Sequence, residues 1–363
     1  MISLAGGLPD ATRFPNEELA DIATRLLHSE PEAALQYGET RGAAQARSAF
    51  AAQLQSEAGP GGAPCSADDL VITTGSQQAL DLLSRVLLDP GDVVLVGDPD
   101  YLGALQVFRS HGAVLRSVPV DGDGLCVDAI EDLLAGGLRP AICYLVPHFH
   151  NPSGTTTSPE RRRRLAELAA RYGFVVVEDD PYRELWFDQP PVWVDGDPDL
   201  TIRLRSTSKI LTPGLRVGAL SGPGWLVEAV VTAKQSVDLH TPSLNQLLVA
   251  ECLDADWLPE HLRGLRTAYA AKARTLADAL TDRFGGSITC SQPTGGMFLW
   301  IRFADVADTS QLLSDALDRG VCFVPGGAFA VERSLARHAR LSYATASETD
   351  LVEAAQRLLL ASR

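Results

Sequence analysis

The chain contains 363 residues, of which 45% are hydrophobic, so it exceeds one average domain and can bury a sizeable core. Its 31 basic and 46 acidic residues give a formal net charge of −15. A protein that binds nucleic acid through the phosphates needs the opposite charge, and nucleic acid is therefore excluded as a main partner.

The six cysteines are scattered along the chain, without the CxxC or Cys/His spacing of a zinc site. They indicate neither a metal centre nor a disulfide framework, and we expect a reducing cytoplasm. The opening MISLAGGLPD lacks the basic start and apolar run of a signal peptide. No apolar run approaches the roughly 18 residues of a membrane span, so we expect a soluble protein without a membrane partner.

From about Leu70 to Gly222, short β-branched runs alternate with stretches of helical periodicity. This alternation predicts an α/β fold with a mostly parallel, seven-stranded sheet covered by helices. Four polar clusters, TTGSQQ, VPHFHNPSG, VEDDPY and STSK, directly follow predicted strands. Because ligands in such folds bind beyond the carboxyl ends of the strands, we expect these clusters to converge on one crevice.

After Pro223 the pattern changes to long helices, predicted at 224–239 and from 243 to about 284. A smaller α+β domain follows, and its last helix begins at SETD, which resembles a capping box. We predict that residues 1–35 join this small domain, that residues 36–245 form a large domain and that residues 246–363 form the small domain. GPGGAP, at 59–64, is predicted to be a surface loop.

The segment STSKILTPGLRVG surrounds Lys209 with the hydroxyls of Ser206 and Ser208 and the guanidinium of Arg216. A lysine amine forms an imine with an aldehyde only when deprotonated, which a reference pKa of about 10.4 makes rare at neutral pH. Burial or the cation Arg216 would lower this pKa. The two serines and the arginine could bind a phosphate dianion. The motif thus suits a phosphorylated aldehyde cofactor, although an ordinary turn would also explain it.

TTGSQQALD places Gly75, Ser76 and Gln77 where a strand gives way to a helix. The backbone N–H groups and the helix dipole favour an anion at such a point. A plain helix N-cap would also select Ser76. Together with the lysine segment, the motif predicts a phosphate-binding cup.

VEDDPYREL supplies a carboxylate, Asp179, and a phenol three residues later, Tyr182. A pyridine cofactor needs a carboxylate to keep its ring nitrogen protonated, because that charge makes the ring an electron sink. Asp180 competes with Asp179 for this role, and an acidic strand end that only caps a loop is the alternative. Asn151, in HNPSGT, could donate its amide hydrogen to the ring oxygen of such a cofactor.

These residues resemble the class I and II aminotransferases, pyridoxal-phosphate enzymes of the aspartate aminotransferase fold (fold type I). The resemblance spans nearly the whole chain through AGGLPD, LQYGETRG, TTGSQQALD, DPDYLGALQ, HNPSGT, EDDPY, STSKILTPGLRVG, GGMFLWI, PGGAF and ARLSY. AGGLPD and DPDYLGALQ are most similar to the 2-aminoadipate aminotransferase group and to the aminotransferase-like domains of certain transcription regulators. No DNA-binding domain precedes Met1, so we do not expect a regulator.

The resemblance implies that the large domain binds pyridoxal 5′-phosphate and that no metal is involved. Lys209 would form the imine, Asp179 would pair with the ring nitrogen, and Tyr182 and Asn151 would bond the ring oxygen. The implied phosphate ligands are Gly75, Ser76, Gln77, Ser206, Ser208 and Arg216.

The remaining implied roles concern the ring face, the second subunit and the substrate. Tyr101 would stack on the ring. Core packing is the alternative for each aromatic residue of the site, above all for Tyr37. Tyr37 would reach the phosphate of the neighbouring subunit, which implies a homodimer with shared active sites. Arg340 would bind the substrate α-carboxylate as a bidentate pair, next to Asn151 and Gly7.

The implied activity is the transfer of an amino group from an L-amino acid to a 2-oxo acid by a ping-pong mechanism. The same lysine and arginine also serve decarboxylases, lyases, cyclases and oxidases of this fold, so a different pyridoxal-phosphate reaction is the alternative. A protein that binds the cofactor without turnover is a third interpretation, which the presence of Lys209, Asp179 and Arg340 disfavours.

Two histidines and two arginines have no assigned role in the resemblance. His150 stands where the family usually has glutamine, and we hypothesise that it tunes substrate choice, with His148 as a second imidazole nearby. The alternative is that both are loop residues without a role. Arg13 and Arg25 are candidate partners for an acidic substrate group, although a surface position is the alternative for each.

Overall fold

The computed structural model describes residues 1–60, 62–63 and 65–363, so the predicted loop at 59–64 lies partly outside the described residues. The strands are β1 (Ile2–Ser3), β2 (Leu70–Thr73), β3 (Val93–Asp98), β4 (Val114–Asp121), β5 (Gly124–Leu125), β6 (Ile142–Leu145), β7 (Val175–Asp179), β8 (Thr201–Ser206), β9 (Gly218–Ser221), β10 (Ile288–Cys290), β11 (Phe298–Phe303), β12 (Val321–Cys322), β13 (Val324–Pro325) and β14 (His338–Ser342). The α-helices are α1 (Asn16–Ser29), α2 (Pro31–Leu35), α3 (Ala44–Ala58), α4 (Ser76–Leu87), α5 (Leu102–Ser110), α6 (Val127–Ala135), α7 (Pro159–Tyr172), α8 (Gly224–Val237), α9 (Ser243–Leu253), α10 (Leu258–Phe284), α11 (Thr309–Asp318) and α12 (Glu348–Ala361).

The large sheet has the strand order β2-β9-β8-β7-β6-β3-β4-β5. The central pairs from β8 to β4 are parallel, whereas β9 runs antiparallel to both of its neighbours. The prediction of a mostly parallel α/β sheet is therefore confirmed. The sheet has eight strands and not seven, because the chain turns back after β4 and pairs two residues, Gly124 and Leu125, at the edge. A two-residue strand leaves no alternation that a sequence pattern could reveal.

The strands of this sheet are apolar because helices cover both faces. Every residue of β7 is buried, as expected for a parallel strand that packs on two sides. On one face, α4 buries Leu80, Leu82 and Leu83. Each such leucine contributes roughly 1.5–3 kcal/mol relative to an exposed one.

Local signals set the helix ends that position the strand termini. The helix α7 begins after Ser158, whose side chain accepts from the N–H of Arg161, and has Pro159 in its first turn. It ends at Gly173, which takes a left-handed conformation with φ of +74° and leads directly into β7. The closing helix α12 starts after Ser347, whose hydroxyl accepts from the N–H of Asp350, as the SETD pattern predicts.

A second unit contains an antiparallel sheet of order β10-β11-β14-β13 and helices α11 and α12. The N-terminal strand β1 pairs in parallel with β12 of this C-terminal region, so both chain ends contribute to the smaller α+β unit, as predicted. The predicted domain boundaries stay predictions, and the one at 245/246 falls inside α9.

The predicted helix from 243 to about 284 is two helices, α9 and α10. Four residues, 254–257, separate them, and Pro259 lies in the first turn of α10, where a proline is accepted. The helical apolar periodicity continues across the break, which explains why the sequence pattern did not reveal it. No helix among the described residues is both long and apolar enough to cross a membrane.

Candidate active site

A cavity of about 280 Å³ opens at the carboxyl ends of the parallel strands. Asp179 is the last residue of β7, Ser206 is the last of β8, and Ser76 begins the helix that follows β2. The lining residues are Gly7, Ser76, Gln77, Tyr101, Val146, Asn151, Asp179, Pro181, Tyr182, Ser206, Ser208, Lys209, Arg216 and Arg340. The four polar clusters thus meet in one crevice.

A larger cavity of about 710 Å³ lies beside α10, near Trp186 and Pro293. None of the predicted site residues lines it. The chemistry that the sequence predicts is concentrated in the smaller cavity, which we therefore take as the candidate active site.

Lys209 lies at the end of a short helical turn directly after β8. Its Nζ donates to the carbonyl oxygen of Gly7 at 2.8 Å. Burial, together with the cations Arg216 and Arg340, lowers the pKa of Lys209 to about 8, although Asp179 acts in the opposite direction. About a tenth of the amine is therefore uncharged at pH 7, so Lys209 can act as a nucleophile or a base.

Asp179 is buried on the cavity side of β7. Burial, with the carboxylates Asp180 and Asp100 nearby, raises its pKa to about 6, even though the hydroxyls of Tyr144, which donates to Oδ2 at 3.1 Å, and of Ser76 lower it. Oδ1 has no hydrogen-bond partner within the part of the chain that the structure describes. This carboxylate can therefore take up a proton or accept a hydrogen bond from a charged N–H group of a ligand.

The phosphate-binding residues form a compact cup. A Cβ added to Gly75, whose φ is +77°, would lie 2.7 Å from the guanidinium of Arg216, so a glycine is required here. Arg216 itself takes a left-handed conformation and donates to the Thr74 carbonyl at 3.0 Å. Ser206 Oγ donates to Ser208 Oγ at 3.0 Å. Hydroxyls, a guanidinium and the N-terminus of α4 therefore converge, which suits a dianion.

The hydroxyl of Ser76, the first residue of α4, adds to this cup. Its Oγ is buried and has no hydrogen-bond partner among the described residues. Gly75 does not line the cavity but allows Arg216 to pack against the chain just before α4.

Arg340, on β14, enters the cavity from the smaller sheet. Its guanidinium lies over the rings of Phe298 and Phe329, at 4.4 and 5.0 Å from their centroids. Nη1 donates to Asn151 Oδ1 at 2.8 Å, and Nη2 donates to the carbonyl of Ala5. Burial lowers the pKa of Arg340 to about 10, so it stays charged at neutral pH. The result is a fixed, desolvated cation suited to a carboxylate.

Two aromatic residues complete the wall of the cavity. Tyr182 is buried and packs edge-on against Phe298, with ring centroids 5.8 Å apart. Burial raises the pKa of its hydroxyl far above the ordinary value, so it remains a neutral donor. Tyr101 precedes α5 and lies within 3.5 Å of Gln77 through its hydroxyl.

Tyr37 is a predicted site residue that lies on the surface, away from this cavity. It is 79% exposed and packs edge-on against His240, with ring centroids 5.9 Å apart. Its predicted contact is with a neighbouring subunit, which a single chain does not test.

Asp180, the competitor of Asp179, lies outside the cavity. It accepts from His148 Nδ1 at 2.8 Å and lies 3.5 Å from Arg205. His148 is therefore part of a buried ionic cluster, and burial lowers its pKa despite the neighbouring carboxylate. Asp179 is the carboxylate that faces the ligand space.

His150 is buried and does not line the cavity. Its Nδ1 lies 2.8 Å from Ser153 Oγ, and its Nε2 lies 3.2 Å from Asp100 Oδ1. Asp100 also accepts from the N–H of Tyr101 at 2.7 Å. Any effect of His150 on substrate choice would therefore act through the loop positions and not through direct contact.

Neither Arg13 nor Arg25 lines the cavity. Arg25 pairs with Glu251, and Arg13 lies 3.7 Å from Asp10 with 41% of its side chain exposed. This geometry favours the alternative interpretation, in which both arginines are surface residues.

Several functional neighbours escaped prediction from sequence. Val146 and Pro181 line the cavity, and Tyr144 bonds Asp179. Tyr144 is the only hydroxyl-bearing residue of its strand, AICYLVP, which was the available signal. Phe298 and Phe329 lie within GGMFLWI and PGGAF, two motifs of the resemblance, but neither residue was predicted to pack against Arg340.

The chain matches the family model for aminotransferase class I and II over residues 3–358. It belongs to this family. The protein is thus an enzyme that transfers amino groups, and its fold is that of the fold type I aminotransferases.

Two relatives illustrate the similarity in sequence. A 2-aminoadipate transaminase from Thermus thermophilus is 40% identical over 365 residues, which cover 99% of this chain and 89% of the relative. An aromatic-amino-acid aminotransferase from Thermococcus litoralis is 36% identical, with 99% of this chain and 87% of the relative covered.

Solved structures agree with this assignment. An α-aminoadipate aminotransferase from Thermus thermophilus, complexed with N-(5′-phosphopyridoxyl)-L-leucine, superposes with a TM-score of 0.91 at 38% identity, covering 99% of this chain and 92% of that one. A kynurenine aminotransferase from Pyrococcus horikoshii has a TM-score of 0.94 at 36% identity, covering 100% and 90%.

The raised pKa of Asp179 predicts that this carboxylate destabilises the cofactor-free aminotransferase. Its folded-state pKa of about 6 exceeds the ordinary 3.8, so the folded chain holds the proton more tightly than the unfolded chain. Stability is therefore lost as the pH rises from about 4 to about 6. Asp179→Asn should remove this loss. The free energy of unfolding of the variant, measured relative to that of the wild type, should therefore be higher at pH 7 than at pH 4 by up to about 3 kcal/mol.

Urea unfolding of the cofactor-free protein between pH 4 and pH 8 measures this difference. Asp282→Asn, which changes an exposed carboxylate on α10, is the control, and its pH profile should stay parallel to that of the wild type. Parallel pH profiles for Asp179→Asn and the wild type would contradict the prediction.

Proposed function

We propose that the protein is a pyridoxal 5′-phosphate-dependent aminotransferase that moves an amino group between an L-amino acid and a 2-oxo acid by a ping-pong mechanism. The observation that carries the proposal is one cavity in which Lys209, with its lowered pKa, lies between Asp179, the phosphate cup and Arg340. Each of these groups matches one part of the cofactor or of an amino acid.

The cofactor fits two buried polar atoms that lack partners among the described residues, Asp179 Oδ1 and Ser76 Oγ. Asp179 would hold the ring nitrogen, and Ser76, Gln77, Ser206, Ser208 and Arg216 would hold the phosphate. Tyr182 and Asn151 would donate to the ring oxygen. The bound cofactor supplies an electron sink for the bond that breaks at the substrate α-carbon.

Two side chains of the protein would then act on the substrate. Arg340 binds the α-carboxylate and so fixes which bond of the α-carbon is aligned for cleavage. Lys209, once its amine is free and uncharged, would take the proton from the substrate α-carbon and hold it on Nζ for its return. Arg216 and Arg340 favour the uncharged amine, so that more of Lys209 is free to accept a proton near neutral pH, although its basicity is reduced.

The proposed substrates are an L-amino acid and a 2-oxo acid, since the cavity offers Arg340 as a carboxylate-binding cation. Cytoplasmic location and a role in amino-acid biosynthesis complete the proposal. All six cysteines are free thiols, which supports a reducing compartment.

Lys209→Ala tests the covalent link to the cofactor. The wild type should show a visible imine band that single amino acids remove and a 2-oxo acid restores, whereas the variant should lack both the band and the activity. The chain has three lysines, so borohydride reduction followed by peptide mass analysis should label Lys209 and leave Lys234 and Lys272 unlabelled.

Two results would count against transamination as the reaction. Turnover that continues without a 2-oxo acid, or with uptake of oxygen, would indicate the alternative pyridoxal-phosphate chemistry. A label on another lysine, or an active Lys209→Ala protein, would contradict the proposed role of Lys209.

Arg340→Ala should weaken transition-state binding by about 2–5 kcal/mol, because the substrate carboxylate would lose a desolvated, hydrogen-bonded partner. The measurement is kcat/KM for the half-reaction with a single amino acid. Arg337→Ala, on the exposed side before β14, is the matched control and should leave kcat/KM unchanged. An unchanged value for Arg340→Ala would move the carboxylate site elsewhere.

The proposed homodimer is supported by an exposed apolar patch beside Tyr37. Leu35 is 68% exposed and Leu239 50% exposed, next to the Tyr37–His240 pair. In this arrangement, Tyr37 would reach the phosphate of the neighbouring subunit. The patch therefore belongs to the proposed subunit interface.

Leu35→Glu places a charge in this patch and should give monomers with reduced activity, because each site would lose its contribution from the other subunit. Sedimentation equilibrium together with an activity assay measures both effects. Leu317→Glu, at an exposed leucine on α11, is the control and should stay dimeric. A wild-type protein that is active as a monomer would contradict the proposal.

A further inference from the structure

The chain begins with an extended segment, residues 2–10, that runs from the smaller sheet past the cavity to α10. We call this the N-terminal segment. At its start, the Leu4 N–H donates to the Cys322 carbonyl at 2.8 Å, and the Leu4 carbonyl accepts from the Ser342 N–H at 2.7 Å. The first bond attaches the segment to β12, and the second attaches it to β14, the strand that carries Arg340.

The middle of the segment contacts the reacting side chains. The carbonyl of Gly7 accepts from Lys209 Nζ at 2.8 Å, and the carbonyl of Ala5 accepts from Arg340. Among the described residues, these are the hydrogen bonds that residues 5–9 make. The position of the middle therefore depends on how firmly the two ends are held.

The second end is held by two residues of α10, one turn apart. The N–H of Asp10 donates to the Tyr269 hydroxyl at 3.0 Å. Lys272 Nζ donates to Asp10 Oδ2 at 2.7 Å and to the carbonyl of Ala344 at 2.8 Å. Ala344 lies two residues after β14, the strand that carries Arg340. One ammonium group thus joins α10, the N-terminal segment and the strand of the carboxylate-binding arginine.

The buried surroundings of this ammonium group favour a lysine at position 272. Lys272, Asp10 and Tyr269 are all buried. Burial alone would raise the pKa of Asp10, but hydrogen bonds from Lys272 and Thr12 hold it below its ordinary value. Three of the 31 basic residues of the chain are lysines, and none of the three is exposed. A compact charge with freely directed donors fits between two acceptors from different segments, which a planar guanidinium does less well.

We propose that Lys272 is a positioning residue for amino-group transfer: by holding Asp10 and Ala344 together, it sets the position of the Gly7 carbonyl relative to Lys209 and Arg340. This inference rests on the proposed function. Only Leu8 and Pro9 separate Gly7 from Asp10, which limits the distance between Gly7 and Asp10 to about 10 Å. A shift of Asp10 therefore displaces the Gly7 carbonyl in the cavity. There, a displacement of about 1 Å can lower the rate by up to a hundredfold.

The competing explanation is a buried ion pair that only stabilises the fold. Lys272→Met removes the ammonium but leaves Asp10 as an unpaired buried charge, which destabilises any protein. The double variant Asp10→Asn/Lys272→Met removes both charges and avoids that cost. Lys272→Arg keeps the charge and serves as the conservative rescue.

A second comparison uses two buried tyrosines that each make one hydroxyl bond to the backbone. Tyr269→Phe removes the bond to the Asp10 N–H, at the anchor of the segment. Tyr343→Phe removes the bond from its hydroxyl to the Gly295 carbonyl, at 3.1 Å, which does not involve the segment. Both side chains are fully buried, so each of the two variants loses one buried hydrogen bond of a tyrosine hydroxyl.

The first measurement is the kinetics of the half-reaction with a single amino acid at saturating cofactor. In the double variant, we expect KM for the amino acid to rise between about tenfold and a hundredfold, with a smaller fall in kcat. Lys272→Arg should recover part of this loss. Tyr269→Phe should shift KM in the same direction, and Tyr343→Phe should not.

The second measurement does not depend on activity. This measurement is amide hydrogen exchange in the peptide that contains residues 4 and 10. The amide of residue 10 should exchange at least about tenfold faster in the double variant than in the wild type, whereas the amides of β3 should exchange at the same rate in both. Equal exchange in the double variant and the wild type would overturn the inference. So would a KM shift no larger than that of Tyr343→Phe.

The two proposals can fail separately. If the wild type carries out no half-reaction with any amino acid, the proposed function fails, and the exchange experiment still decides whether Lys272 holds the segment. If the wild type is active but the double variant keeps its KM, amino-group transfer stands and the positioning role of Lys272 is wrong.

Discussion

The site depends on the burial of two groups of opposite charge, Lys209 and Asp179, in one small cavity. Desolvation disfavours the charged form of each, so the pKa of the lysine falls to about 8 and that of the aspartate rises to about 6. In water these groups would differ by more than about six pKa units, and neither would change protonation near neutrality. The sheet therefore supplies more than a scaffold, because its carboxyl edge removes the water that would keep both groups fully charged.

Fixed cations divide the cavity into a phosphate side and a carboxylate side. Arg216 is held by the Thr74 carbonyl and packs against Gly75, whereas Arg340 lies between two phenylalanine rings. Both arginines also lower the pKa of Lys209. The same two charges thus recognise the anionic ends of the proposed ligands and keep the central amine reactive.

The sequence predicted the seven longer strands of the sheet and most of the cavity, because each motif directly follows a strand and parallel strands end at a common edge. It did not predict features that only three-dimensional packing creates. The hydroxyl of Tyr144 on an apolar strand, and Phe298 against Arg340, look like core residues in sequence. Lys272 lies within a long helix among alanines and arginines, and nothing in its sequence neighbours indicates that it contacts Asp10, 262 residues away.

The three consecutive acidic residues of β7 and its end show how the fold gives similar side chains different properties. Successive side chains of a strand point to opposite faces, so Glu178 and Asp180 share one face and Asp179 takes the other. Burial alone would raise the pKa of Glu178, but Arg162 and Arg203 hold it below its ordinary value. Asp180 is likewise kept ionised, by His148 and the neighbouring arginines. Asp179 has no cation of its own among these partners, and its proton affinity therefore remains high. The arginines that pair with Glu178 and Asp180 thus leave Asp179 without a cation. A cationic ring nitrogen in the cavity would supply this missing partner.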